Sequence, residues 1–393
     1  MNKKVKSVVF LSNFYNHHQS FLCKEFYNIY GDGFKFIETT CVPDERIKMG
    51  WGEKDIPSFV LTYDYFTRNY DLCKEVIDNS DVVIFGSAPY LLLKNRIKNK
   101  KVIFKYCERP LKINNQKWKY IFRLVTWRIK NPQYDQFNLL CASGYTSADY
   151  NKFLLYINKC FKWGYFPQFK KYNDVHKIIK KKNKNSILWC GRLIDLKHPD
   201  MVIEVAKLLK NEGYDFSIIM IGNGVLENKI QSLIDKYNLS GYVSLIGSLP
   251  YDKVRDYMEK SEIFLFTSDR NEGWGAVLNE SMNSACAVVA SHSIGSVPFL
   301  INNGKNGFVY KDGCINELFE KTKWLLDHSN ERKLMSSAAY YTIENEWNPQ
   351  KAAMRFSIIA ELIFNNKKSN HVFSNGVCSK ALPIKDNWYN NNV

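Results

Sequence analysis

Short apolar runs alternate with helix-patterned stretches along this 393-residue chain, and they do so in two separate blocks. In the first block the runs fall at 5–11, 34–38, 59–61, 81–86, 101–107 and 137–142, with a helix-like stretch at 17–30 and a loop rich in Gly, Pro and charge at 43–57. In the second they fall at 186–190, 216–221, 243–246, 263–267 and 287–291, separated by helical patterns at 199–211, 226–237 and 251–260. The runs are apolar throughout, which is the signature of strands covered on both faces. Alternation of such strands with helices predicts parallel, doubly wound α/β sheets. The remainder to Tyr341 reads as mainly helical.

Between the blocks, 170–185 is rich in Lys and Asn and poor in large apolar residues, so it reads as a linker. The expected organisation is an acceptor-side Rossmann-like domain at 1–170, a linker at 171–185 and a second Rossmann-like domain at 186–346. A helix at 347–365 follows, with Pro349 near its first turn, and then a flexible Asn- and Lys-rich tail at 366–393. Two α/β units of this size face a cleft, the favoured place for a ligand.

Four turns after strands of the second block carry the candidate chemistry. The first is Gly191-Arg192-Leu193-Ile194-Asp195-Leu196-Lys197-His198, whose two cations suit a diphosphate or form a solvated basic loop. The second, Gly222-Asn223-Gly224, looks like the start of a dinucleotide fingerprint, but Glu227 stands where the third Gly belongs; a tight turn with close backbone approach explains it equally. The third is Gly247-Ser248-Leu249-Pro250, either a simple turn or backbone groups that read a base edge. The fourth runs from Ser268 to Glu280 and contains Glu272-Gly273-Trp274-Gly275 before a helix predicted at 276–285. A helix start at a strand's carboxyl end is where open α/β sheets bind anions.

In this order and at these spacings, across 186–307, the four turns resemble the retaining glycosyltransferases of family 4, of GT-B architecture. The resemblance implies two Rossmann-like domains across a cleft, with the last helix crossing back to the first. It also implies that Arg192 and Lys197 hold the donor diphosphate and that Glu280 binds the nucleotide ribose. Glu272 would bind a donor-sugar hydroxyl, aided by backbone N–H groups near Trp274 and Gly275. On this reading Arg192, Lys197 and Glu272 are catalytic, while Gly191, Gly222, Gly224, Ser248, Leu249, Gly273, Trp274, Gly275 and Glu280 line the nucleotide-sugar. Cations and a helix amino end stabilise charge on a departing diphosphate, so no metal is expected; no Asp-x-Asp motif is present. No cofactor is expected beyond a UDP- or GDP-sugar co-substrate.

The first block resembles the family less closely. In place of a Gly-rich first loop it has Asn13-Phe14-Tyr15-Asn16-His17-His18-Gln19. Together with Tyr106-Cys107-Glu108-Arg109-Pro110, Cys141-Ala142-Ser143-Gly144-Tyr145 and Trp163-Gly164-Tyr165-Phe166-Pro167, this looks like some bacterial polysaccharide glycosyltransferases. Asn16, His17, His18 and Glu108 are candidate acceptor or phosphate contacts. The alternatives are a helix cap for the histidines and an ion pair with Arg109 or a nearby Lys for Glu108.

Net charge is +16, and 94–130 alone holds thirteen Lys or Arg against one acid, Glu108. Within it, 117–130 places Trp118, Ile121, Phe122, Val125 and Ile129 at helical spacing, with Leu124 and Trp127 beside them and basic residues on the flanks. That helix is either an interfacial anchor for an anionic membrane or a core-packing helix with a basic rim. Nucleic acid is not expected, since no binding module accompanies the charge. Ten scattered cysteines without ligand spacing, no leader and no span-length apolar run predict a cytoplasmic protein, peripheral to the membrane's inner face at most.

The function expected is transfer of a hexosyl or related group from a nucleotide-sugar to a glycan or lipid-linked saccharide, in bacterial surface polysaccharide synthesis. Two other classes stay open: a non-catalytic partner of the same fold in a membrane assembly, and a nicotinamide oxidoreductase resting on Gly222-Asn223-Gly224 alone.

Overall fold

The structure is a computed structural model that describes residues 3–43, 55–112, 119–369 and 371–391. The chain forms two compact units: 1–168 with 348–384, and 169–347 with 385–393.

Unit 1 holds a parallel sheet of seven strands: β1 Val8–Ser12, β2 Phe34–Glu38, β3 Val60–Leu61, β4 Val82–Phe85, β5 Val102–Cys107, β6 Phe137–Cys141 and β7 Cys160–Lys162, in the spatial order β3-β2-β1-β4-β5-β6-β7. Every residue of β1, β4 and β6 is buried, which is why their sequences run apolar without alternating. Register is set on both sides of β1, with Val8 opposite Phe34 and Val82. From β1 the chain builds outward through β2 and β3, then returns to start β4 on the other side. The switch point therefore lies between β1 and β4, and their carboxyl ends open a crevice.

The predicted last helix is Pro349–Phe364, started by an Asn348 cap that accepts from Lys351 N–H at 2.9 Å. Its stripe Ala352, Phe356, Ile359 and Ile363 is buried. Phe356 meets Phe104 at 4.8 Å, Phe26 at 5.3 Å and Trp163 at 5.7 Å between ring centroids, so this late helix completes the first unit's core.

The tail differs from the expectation of a flexible end. Lys380 bridges Phe161 in antiparallel sense, and Cys378 N–H and Lys162 N–H donate across the pair at 2.8 Å. The tail thus covers the edge of β7 that would otherwise expose unpaired backbone. Further on, the Tyr389 ring lies 4.4 Å from that of His292, inside unit 2.

Unit 2 has six parallel strands: β8 Ser186–Cys190, β9 Ser217–Ile221, β10 Val243–Leu245, β11 Ile263–Phe266, β12 Ala287–Ser291 and β13 Phe308–Tyr310, ordered β10-β9-β8-β11-β12-β13. Its switch point lies between β8 and β11, where Ile263 pairs Ile187. β13 lies within the stretch that reads as mainly helical; a three-residue strand is too short to show a period. The segment expected as a linker belongs to this unit. It forms the helix Val175–Lys180, and the Lys182 ammonium is buried among the carbonyls of Met258, Ser261 and Ser284 at 2.8–2.9 Å. A lysine that reads as linker polarity instead satisfies carbonyls next to two helix ends.

In the basic stretch, Lys119–Lys130 is helical, while Lys117, Trp118 and the side chains of Ile121 and Phe122 lie outside what the structure describes. Trp127 turns inward against Phe153 and Tyr150, at 4.6 and 5.3 Å. Val125 and Ile129 face outward, 56% and 72% exposed. Among the described residues no helix is long and apolar enough to cross a membrane.

Candidate active site

In unit 2 the turn after β8 and the turn after β11 meet. Trp189 Nε1 donates to Thr267 Oγ1 at 2.9 Å, and Thr267 Oγ1 donates to the Lys197 carbonyl at 2.6 Å. These bonds fix where Lys197 leaves the short 3₁₀ turn Asp195–Lys197. Its ammonium forms an ion pair with Glu272 Oε2, which also accepts from Ser268 Oγ at 3.0 Å. Both charged side chains are about six-sevenths buried, at 15% and 14% exposure. Arg192, on the same turn, is exposed and makes no ion pair with any described residue. His198 Nε2 sits 3.5 Å from Asp269 Oδ2.

Backbone locks these turns together. Leu193 N–H donates to the Asn223 carbonyl and Gly222 N–H to the Gly247 carbonyl, both at 2.8 Å. Gly222 has φ +134°, and a Cβ there would stand 1.9 Å from the Gly191 carbonyl oxygen. Close approach of two strand exits is therefore sufficient reason for that glycine. Ser248 is exposed and Leu249 half-buried on the neighbouring turn.

The 272–276 segment is also built by packing. Gly275 takes φ +82°, and a Cβ there would meet the Phe266 ring at 2.4 Å. Gly273 is buried, and Trp274 is fully so, its Nε1 donating to Asn279 Oδ1 at 2.9 Å. The indole is thus a core residue and only its backbone is available near the turn. The helix that follows is Val277–Asn283, shorter than the predicted 276–285; Ala285 has φ +54° and ends it.

Glu280 lies on that helix and is buried at 9% exposure. Burial pushes its carboxyl up to about 7, the Arg255 guanidinium opposing. It adds to the burial that holds the Cys190 thiol high, which locates it beside the end of β8. Arg255 is not among the residues the sequence marks for this site. Its guanidinium reaches the Glu280 carbonyl at 3.2 Å, Asn283 Oδ1 at 2.9 Å and the Tyr251 hydroxyl at 3.0 Å, tying two helices behind the turn. Nothing in a helix patterned Tyr251–Lys260 marks that arginine as buried.

Unit 1 has its own cavity of about 400 Å³ at the switch point, at the ends of β1, β4 and β5. Asn16 and His18 line it; His17 does not. Asn16 is the helix cap, accepting from His18 N–H at 3.0 Å, so the capping expected of a histidine is done by its neighbour. The His18 and Tyr165 rings lie near-parallel, 5.8 Å apart. Glu108 stands at the cavity wall, accepting from the Tyr165 hydroxyl at 2.7 Å and pairing Lys112 at 2.5 Å. Arg109 turns away to Asp149 at 3.4 Å and lies over the Tyr145 ring at 4.4 Å. Tyr165 and Lys112 join the site through these contacts; the four-residue spacing from Glu108 to Lys112 is the signal the sequence offers.

Residues 171–342 match the family model Glycosyl transferases group 1. An uncharacterized glycosyltransferase of Methanocaldococcus jannaschii is 25% identical over 72% of this chain and 83% of its own length. An N-acetylgalactosamine-N,N'-diacetylbacillosaminyl-diphospho-undecaprenol 4-alpha-N-acetylgalactosaminyltransferase of Campylobacter jejuni is 32% identical, over 39% of this chain and 40% of its own. The chain thus spans less than half the length of that second relative. Among solved structures, Anabaena HepE in complex with UDP superposes with a TM-score of 0.65 at 13% identity, covering 90% of this chain and 98% of that one. Staphylococcus aureus TarM, solved with UDP, Fondaparinux and alpha-GlcNAc-glycerol, gives 0.62 at 13% identity, covering 92% and 100%. Residues 171–342 thus match the Glycosyl transferases group 1 model, in a chain with the two-sheet GT-B fold of these solved structures.

Proposed function

We propose that this protein transfers a sugar from a nucleotide-sugar donor to a saccharide or lipid-linked acceptor in bacterial surface polysaccharide synthesis. The reading places it in family 4, with retention of anomeric configuration and without a metal. One observation carries it: the Lys197–Glu272–Ser268 cluster, with unpaired Arg192 beside it, at the β8/β11 switch point. Arg192 and Lys197 take the donor diphosphate, Glu272 a hydroxyl of the donor sugar, and Glu280 the ribose. As the bond from the anomeric carbon to the diphosphate breaks, negative charge grows on the departing oxygens, where the two cations stabilise it. The acceptor hydroxyl attacks from the same face and gives its proton to the departing phosphate.

UDP is favoured as the nucleotide because both solved relatives above hold it, with a GDP-sugar as the second candidate donor. The unit 1 cavity takes the acceptor, with Glu108 accepting one of its hydroxyls and Asn16 and His18 lining it. A lipid-linked acceptor is in keeping with the Campylobacter relative, whose name specifies a diphospho-undecaprenol substrate. It is also in keeping with outward-facing Val125 and Ile129 in the basic stretch 94–130, which form a peripheral contact for an anionic bilayer on its cytoplasmic side.

The test is a panel of UDP- and GDP-sugars without acceptor, with slow release of free sugar read by NMR. Hydrolysis of one donor that starts in the α or β form and is released in that same form is the expected result. No turnover and no nucleotide binding across the panel would sink the proposal.

A further inference from the structure

Lys105 lines the unit 1 cavity from β5. Its ammonium donates to Asn131 Oδ1 at 2.7 Å and lies 5.1 Å from the centre of the Tyr150 ring. Asn131 and Tyr150 are both buried, at 2% and 4% exposure. Among the described residues no carboxylate comes within ion-pair distance of Lys105. The two other cations on the wall differ in this respect: Arg109 is matched by Asp149 and Lys112 by Glu108. Burial pushes the Lys105 ammonium down, Cys107 beside it opposing and Lys130 adding to the fall. A charge held away from water without a counter-ion is expensive, and a neutral amide and a ring face recover only part of that cost. An anion arriving in the cavity would supply what is missing.

We propose that the unit 1 cavity takes an acceptor bearing a phosphate or diphosphate group, with that group seated against Lys105. The inference rests on the transferase reading above and names the class of its acceptor. Tyr165, Glu108 and His18 are left to the sugar, and Lys105 to the anion.

Inorganic pyrophosphate is the first probe. The Arg192→Ala/Lys197→Ala protein lacks the unit 2 cations, so calorimetric titration of it reads unit 1. Saturable binding is expected, weakened about tenfold or more by adding Lys105→Met. Lys105→Arg, which keeps the charge, should stay within about threefold. The Tm of Lys105→Met should equal or exceed that of its parent, because a half-buried charge without a counter-ion among the described residues has gone. No pyrophosphate binding, or binding indifferent to Lys105→Met, overturns the proposal. UDP and GDP titrations of the wild type run alongside: if neither nucleotide binds, the transferase reading falls, independently of the pyrophosphate result. Competition then separates the sources. Displacement of pyrophosphate by glucose 1-phosphate assigns a free sugar phosphate, and displacement by a short polyprenyl diphosphate in micelles assigns a lipid-linked acceptor. Displacement by neither counts against the proposal.

Discussion

Lys197 and Glu272 form a largely buried ion pair across 75 residues of sequence, joining the turns that follow β8 and β11. Each neutralises the other, and Glu272 takes a further hydrogen bond from Ser268. The pair holds two candidate site side chains at fixed positions before any ligand enters, as preorganised charge requires.

Breaking that pair should separate chemistry from binding. Glu272→Ala is expected to lower kcat by about 100-fold, the scale of losing one fixed transition-state contact. Nucleoside diphosphate affinity should stay within about threefold, since the diphosphate ligands remain. Steady-state transfer kinetics with parallel calorimetry read both quantities.

Glu280 predicts a pH effect. Its carboxyl is raised to about 7 by burial, so in the empty protein it is largely protonated at pH 6 and ionised at pH 8. In the proposed ribose-binding role only the ionised form accepts both ribose hydroxyls, so UDP affinity should fall about tenfold from pH 8 to pH 6. Stability runs the other way. The folded protein holds a proton that the unfolded chain has released, so stability declines as pH rises from about 4.5 to about 7. Glu280→Gln should flatten both profiles, measured by calorimetry and by thermal unfolding.

Gly222→Ala should destabilise unit 2 by about 2–3 kcal/mol, from strain at φ +134° and collision with the Gly191 carbonyl. Thermal unfolding checks it. A change of a few tenths would mean that the two turns yield easily.

Lys182→Ala should cost about 3 kcal/mol, because three buried carbonyls lose their donor together. Activity per folded molecule should stay within about twofold, since Lys182 reaches the Glu280 helix only at its far end, through the Ser284 carbonyl. Denaturant unfolding and specific activity of the soluble fraction measure the two.

Tyr165→Phe removes the hydroxyl that Glu108 accepts while keeping the ring beside His18. Acceptor KM should rise about fivefold with donor KM unchanged.

What was legible in the sequence follows from period and length. Strands such as Ser186–Cys190 and helices such as Pro199–Asn211 stand out because covered strands run apolar and half-buried helices repeat near every fourth residue. The last helix could be read from Pro349 and its apolar stripe, and Phe356 explains where it goes. Pairings at long separation were not legible. Nothing local says that Lys182 is buried, that Arg255 braces the Glu280 helix, or that Arg109 turns to Asp149 and leaves Glu108 to Lys112. Lys105 reads as an ordinary strand residue until its neighbours are known. The tail reads as disordered by composition, yet it gains order by pairing an otherwise open edge at β7.

In the proposed function, unit 2 holds a nucleoside diphosphate between the turns at 191–198 and 272–280. Hydrogen exchange with UDP and with GDP reads that occupancy segment by segment. One nucleotide should slow exchange at 191–198, 222–224 and 272–280, and Arg192→Ala should abolish that protection at the same concentration. Protection confined to unit 1, or none with either nucleotide at millimolar concentration, would contradict it.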